Sequence, residues 1–147
     1  MSIVTLNDRA VRSVTTFGSL NTGNMVFIKK LTASSSSTLD FLNGSSDVVF
    51  DSTYKEYVFK FIDIHPATEA YYLAFQGNAA GGSGYDETIT STQFQAYHKE
   101  DGSAAGRGYN TGGDQAQATG FQMLNVSGGF DIENSANLSG TLTLFNP

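Results

Sequence analysis

The chain has 147 residues, which suits a single domain, and a net charge of −6, which phosphate backbones would repel, so no nucleic-acid partner is expected. It has no cysteine, hence no disulfide framework or thiolate metal site, and no apolar run near the roughly 20 residues of a membrane span. Sixteen glycines exceed the usual share of about 7%, only 15% of residues are charged, and no window sustains a 3.6-residue apolar period; this favours short strands and tight turns over helices.

In chain order, residues 1–24 carry scattered apolar side chains without a local period. Ile3, Leu6, Val11, Val14 and Phe17 lie too far apart to build a core of their own, yet are too many for a solvated linker. The expectation is an extended N-terminal arm resting on another protein chain, followed by a β-domain over residues 25–147. The N-terminus has no basic-then-apolar signal pattern, which points to folding in a cytoplasm.

Residues 25–31 read as a first core strand, 33–38 as a serine-rich bend, and 38–42 and 48–50 as short strands around the Asn43-Gly44 turn signal. The stretch 54–76 organises the chain. Tyr57, Phe59 and Phe61 alternate with Glu56, Val58, Lys60 and Ile62, the pattern of a half-buried strand. Pro66 cannot donate to a ladder and ends the run; Leu73 and Phe75 resume it.

Residues 78–85 form a glycine-rich loop that lacks the Lys-Ser/Thr of a phosphate cradle and so reads as a turn. Alternation returns over 88–98. Residues 99–118 are small and polar and read as a long loop, a kind that is usually functional or mobile. Residues 121–126 and 138–145 are the last expected strands. The expected core is Phe27, Leu39, Phe41, Tyr57, Phe59, Phe61, Leu73, Phe75, Phe94, Phe121, Leu142 and Leu144.

No catalytic constellation is visible. His65 with Asp63 supplies only two potential metal ligands without recognisable spacing, and a histidine before proline reads as a hydrogen-bonding corner. The acidic pairs sit in or beside turns, where carboxylates cap and solvate. The expectation is therefore no enzyme, no cofactor and no metal. Exposed tyrosines, Tyr71, Tyr72, Tyr97 and Tyr109, could stack sugars, although tryptophan is lacking.

Four segments carry a resemblance: Asn7-Asp8-Arg9-Ala10-Val11-Arg12-Ser13-Val14, Ile64-His65-Pro66-Ala67-Thr68, Gln93-Phe94-Gln95-Ala96-Tyr97-His98, and Leu142-Thr143-Leu144-Phe145-Asn146-Pro147. Together they resemble small virion structural proteins of marine tailed phages, cyanophages especially. Related fibre modules place a strand, an Arg/His-Pro-Ala-Thr corner, a second strand and a Gly-Gly-Ser loop in succession, matching 57–70, 72–76 and 81–85 here.

The resemblance implies an all-β fold, an antiparallel β-sandwich of jelly-roll type, in a non-enzymatic virion protein. It implies a tail-fibre or appendage component that binds other virion proteins and assembles as a homo-oligomer, a trimer in particular. A capsid decoration protein and a carbohydrate-binding module on a host-surface glycan are the alternatives, with Tyr97 and Tyr109 as candidate recognition residues. Relatives of this type continue past Phe-Asn-Pro, so the expectation is either a truncated version or a neighbour that completes the C-terminal sheet.

Overall fold

The computed structural model describes residues 25–125 and 137–147. Every regular element among them is a strand: β1 (Glu56–Ile64), β2 (Ala74–Phe75), β3 (Phe94–His98), β4 (Ala105–Tyr109), β5 (Gln122–Met123) and β6 (Leu138–Phe145). They pair as three two-stranded antiparallel ribbons, β1 with β6, β2 with β5 and β3 with β4. Two compact units emerge: residues 25–32 with Asp40–Val49 in one, and Ala33–Leu39 with Phe50–Pro147 in the other. The expected arm residues Ile3, Leu6, Val11, Val14 and Phe17 lie outside the described residues.

The β1–β6 ribbon is built as its alternation dictates. Tyr57 faces Leu144, Phe59 faces Leu142 and Phe61 faces Gly140, so the aromatic stripe of β1 meets the leucine stripe of β6 on one face. Phe50 packs on this face, 5.1 Å edge-on from Tyr57 and 6.1 Å from Phe59, and Tyr54 meets Tyr57 at 5.8 Å. Tyr57 is the anchor. It is 3% exposed, and its hydroxyl both accepts from the Asp51 amide and donates to the Asp51 carbonyl, each at 3.2 Å.

A β-bulge ends the regular register, with Ile62 and Asp63 opposing Ser139. Asp63 adopts a left-handed φ of 54°, which aspartate tolerates better than most residues, and its amide donates to Ser139 Oγ at 3.1 Å.

Several expected strands are absent as strands. Residues 25–31 and 38–42 have no described partner to ladder with, and 48–50 follows a coil of turns. There Ser45 donates to the Leu42 carbonyl and Val48 to the Ser45 carbonyl, both at 3.1 Å, while Ser46 and Asp47 are left-handed. Gly44 sits at φ 78° as third residue of the Leu42–Ser45 turn, the position where a type II turn requires it. The strand expected over 72–76 shrinks to β2, and that over 121–126 to β5.

Residues 99–118 are not one long loop: they contain β4. The chain enters it through a tight hairpin in which Gly102 N–H donates to the Lys99 carbonyl at 2.9 Å with φ 70°.

The core is smaller than expected. Phe27 is 80% and Phe94 75% exposed, and Leu39 and Phe121 are also exposed. Phe41, Phe59, Phe61, Leu73, Phe75, Leu142 and Leu144 are half-buried, and only Tyr57 of the expected set is buried.

Removing the anchor should show its weight. Tyr57→Ala is expected to cost about 3–5 kcal/mol in urea unfolding, as for a buried aromatic, and Tyr57→Phe about 1 kcal/mol for the lost hydroxyl bonds. A loss below about 1 kcal/mol for the alanine variant would remove Tyr57 from the core.

Candidate assembly surface

Glycines shape the β3–β4 hairpin. Gln95 faces Gly108 and Tyr97 faces Gly106, so one face of β4 has no side chains of its own. The Tyr97 ring fills the gap: a Cβ on Gly106 would lie 2.9 Å from it. The other face carries Phe94 opposite Tyr109, ring centres 5.6 Å apart and edge-on, followed by Ala96 opposite Arg107. Tyr109 donates to the Asp114 carboxylate. That bond raises the phenol's pKa above its ordinary value, with smaller contributions from desolvation and from the negative charge. Tyr97 and Tyr109 therefore sit on opposite faces of the hairpin and cannot grip one ligand together.

Side-chain amides, rather than apolar packing, hold the hairpin to the rest of its unit. Gln76 is buried, and its Nε2 lies within hydrogen-bond distance of three carbonyls, Glu87 at 3.1 Å, Thr119 at 2.9 Å and Gly120 at 3.0 Å; its Oε1 accepts from Gly77 at 2.7 Å. Gln93 Nε2 reaches the Met123 and Asn125 carbonyls, both at 3.3 Å, and its Oε1 accepts from buried Asn110. Gln122 Nε2 donates to the Gly113 carbonyl at 2.7 Å, and Ser91 Oγ bonds both Gln122 Oε1 and the Gln115 amide. Asn125 Oδ1 accepts from Leu73 N–H at 2.9 Å, beside the short β2–β5 ladder.

The polar residues singled out by sequence have local roles. His65 Nε2 lies 3.0 Å from Asp63 Oδ1 at the bulge, a corner contact as expected of a histidine before proline. Among the described residues, no three His, Asp or Glu side chains converge to hold a metal, and no helix is long and apolar enough to cross a membrane. In the 78–85 loop, Gly82 N–H donates to the Ala79 carbonyl at 2.9 Å, and the Glu87 carboxylate caps the Ala79 amide at 2.8 Å, so the segment is a turn. Asp51 and Asp101 also serve turns. The Thr53 hydroxyl and then its amide lower the first carboxyl's pKa; the Ser103 amide and then its hydroxyl lower the second.

What remains is surface. Ile62 is 73% and Phe145 65% exposed on the outer face of the β1–β6 ribbon, joined there by Val58. Phe94 and Tyr109 stand out on the hairpin, and Tyr71 and Phe121 on the connecting segments. A small recess of about 170 Å³ opens at the end of the first ribbon, lined by Phe61, Leu73, Leu124 and Leu138 with Ser139, Gly140 and Thr141. The chain matches no family model, no curated protein and no solved structure.

Two substitutions test the amide network. Gln76→Ala removes the buried amide that bridges the Glu87, Thr119 and Gly120 carbonyls and is expected to cost about 1–3 kcal/mol. Gln76→Glu sets a carboxylate against the same oxygens, which raises its folded pKa above the ordinary value of about 4.3. That variant should be most stable below about pH 4.3 and lose stability as pH rises through the raised value; a flat pH profile in urea titrations would refute the geometry.

Gly113→Ala is the companion. Its new Cβ falls on Gln93 Oε1 in a buried position, so melting should drop by the equivalent of about 2 kcal/mol or more, although alanine normally stabilises a chain relative to glycine.

Proposed function

We propose that the chain is a non-enzymatic structural protein of a phage particle, a tail-fibre or other appendage component that serves assembly or host-surface recognition. One observation carries the reading: large apolar side chains, Ile62, Phe94 and Phe145 foremost, stand exposed on hydrogen-bonded strands. Apolar groups held on ordered ribbons mark contact surfaces. Two-stranded ribbons are marginal by themselves and gain stability from further strands or a packed face.

In this reading the chain is a homo-oligomer bound to other virion proteins. Its ribbons complete an antiparallel sandwich of jelly-roll type in the particle, and Ile3, Leu6, Val11, Val14 and Phe17 contact a neighbouring subunit. The virion context comes from the resemblance of the four segments to phage structural proteins. A capsid decoration protein would use the same surfaces. A second reading, recognition of a host glycan, draws on the exposure of Tyr71, Tyr97 and Tyr109, since an exposed ring can stack on a sugar.

The lack of cysteine makes a unique label simple. Ser103→Cys, exposed in the β3–β4 turn, carries a gold cluster into particles for electron microscopy. Label on the tail or its fibres is the expected result; label on the shell selects the decoration protein; particles without label overturn the virion reading. Binding of the purified chain on a glycan array would instead support recognition, through the Phe94–Tyr109 face of the hairpin if it is lost in Tyr109→Ala and through the opposite face if it is lost in Tyr97→Ala.

A further inference from the structure

The two outer edges of the β1–β6 ribbon differ, and the difference selects a partner. Asn146 N–H donates to the Lys55 carbonyl at 3.0 Å, and these residues stand directly opposite in the continued register. They are therefore a hydrogen-bonded pair of the antiparallel ladder. Such pairs recur at every second residue, so Tyr57 with Leu144, Phe59 with Leu142 and Phe61 with Gly140 exchange backbone bonds. It follows that Glu56, Val58 and Lys60 of β1, and Thr141, Thr143 and Phe145 of β6, turn their N–H and C=O groups outward. No described strand pairs with either edge.

The β1 edge is guarded. It carries Glu56 and Lys60 and ends in the bulge at Ile62 and Asp63, the devices that keep a strand from pairing further. The β6 edge has no guard. Leu-Ser-Gly-Thr-Leu-Thr-Leu-Phe contains no charge, no proline and no bulge inside 140–145. Charge then decides the occupant. Copies of a chain with net charge −6 repel one another, and a two-fold contact sets the same strand against itself, so self-association is least opposed where that strand is uncharged.

We infer that β6 pairs antiparallel with β6 of a second copy, forming a four-stranded sheet in the order β1, β6, β6 of the partner, β1 of the partner. The phase of the outward groups allows Thr143 to face Thr143 and Leu142 to face Leu144 of the partner, which extends the leucine stripe across the two-fold axis. This contact is isologous and gives a dimer, where the phage resemblance implies a trimer. It deepens the assembly reading but does not depend on the particle, and it is tested on the isolated full chain.

Thr143 N–H points away from β1, so Thr143→Pro removes an edge donor and leaves the internal ladder intact; Val58→Pro does the same at the guarded edge. Thr143→Lys adds the missing guard without touching the backbone. Analytical ultracentrifugation at micromolar concentration should show a dimer for the natural chain and for Val58→Pro. Thr143→Lys and Thr143→Pro should raise the dissociation constant at least about tenfold, with far-ultraviolet circular dichroism unchanged. If the proline variant loses its strand signal, the lysine variant decides. A natural chain that sediments as a monomer or a trimer, or a Thr143→Lys chain that stays dimeric, overturns the pairing. Gold-labelled particles report on the virion reading separately.

Discussion

The pairing of β1 with β6 is the constraint on which the second compact unit depends. It joins segments far apart in sequence, as the contact of Asp63 with Ser139 across 76 residues shows. Closing so large a loop costs conformational entropy before any contact stabilises the closed state. The return is concentrated: five facing aromatic and leucine side chains, Phe50 over them, and a buried Tyr57 that ties its hydroxyl to Asp51. Folding should therefore be slow for a chain of this length, since non-local antiparallel pairing limits rate more than size does. Until β6 arrives, Tyr57 lacks its facing residue Leu144.

Between these strands the chain solves a different problem. The segments around β2, β5 and the hairpin contribute few apolar side chains, and glycine occupies two of the five β4 positions. Amide side chains take over, each bridging backbone groups that no ladder reaches. A glutamine can serve one strand with its nitrogen and another with its oxygen, so Gln76 and Gln93 each bind three chain segments. The arrangement is directional, and therefore specific, but it leaves Gln115 Oε1 and Asn125 Nδ2 buried without partners among the described residues. Buried polar groups in that state cost free energy. A unit held this way gains order from its network and needs its remaining stability from elsewhere, which the exposed apolar side chains can supply once covered.

The sequence made part of this legible. The alternation of 56–64 and of 138–145 was plain because both strands keep one apolar face, and the all-β character followed from turns and the missing helical period. The hairpin was hidden for a physical reason. Ala105-Gly106-Arg107-Gly108-Tyr109 has no alternation to detect, because Tyr97 on the opposite strand supplies the packing that Gly106 lacks. Asp101-Gly102 was the available signal for its turn. The network escaped too, since period-based reasoning treats glutamine and asparagine as surface residues, and nothing in their spacing says which carbonyl each will meet. The strands expected at 25–31 and 38–42 form no ladder among the described residues, because apolar content alone does not specify a strand.

Exposed apolar side chains fall into two sets with different bearing on function. Those on the connecting segments, such as Phe27 and Tyr71, need no explanation, because folded proteins expose many such atoms. Val58, Ile62, Phe94, Tyr97, Tyr109 and Phe145 instead stand on hydrogen-bonded ribbons whose geometry is fixed before any partner arrives, so a partner would meet a preorganised surface and lose little entropy in ordering it. The ribbon also separates two kinds of contact. Its outer face offers Val58, Ile62 and Phe145 to any complementary surface, whereas the β6 edge accepts only another strand. Face contacts discriminate by side-chain fit, and edge contacts by backbone phase and the absence of charge. A protein with both can bind a second copy along one direction and a different partner along the other without the two competing, a division that suits a component of a larger assembly.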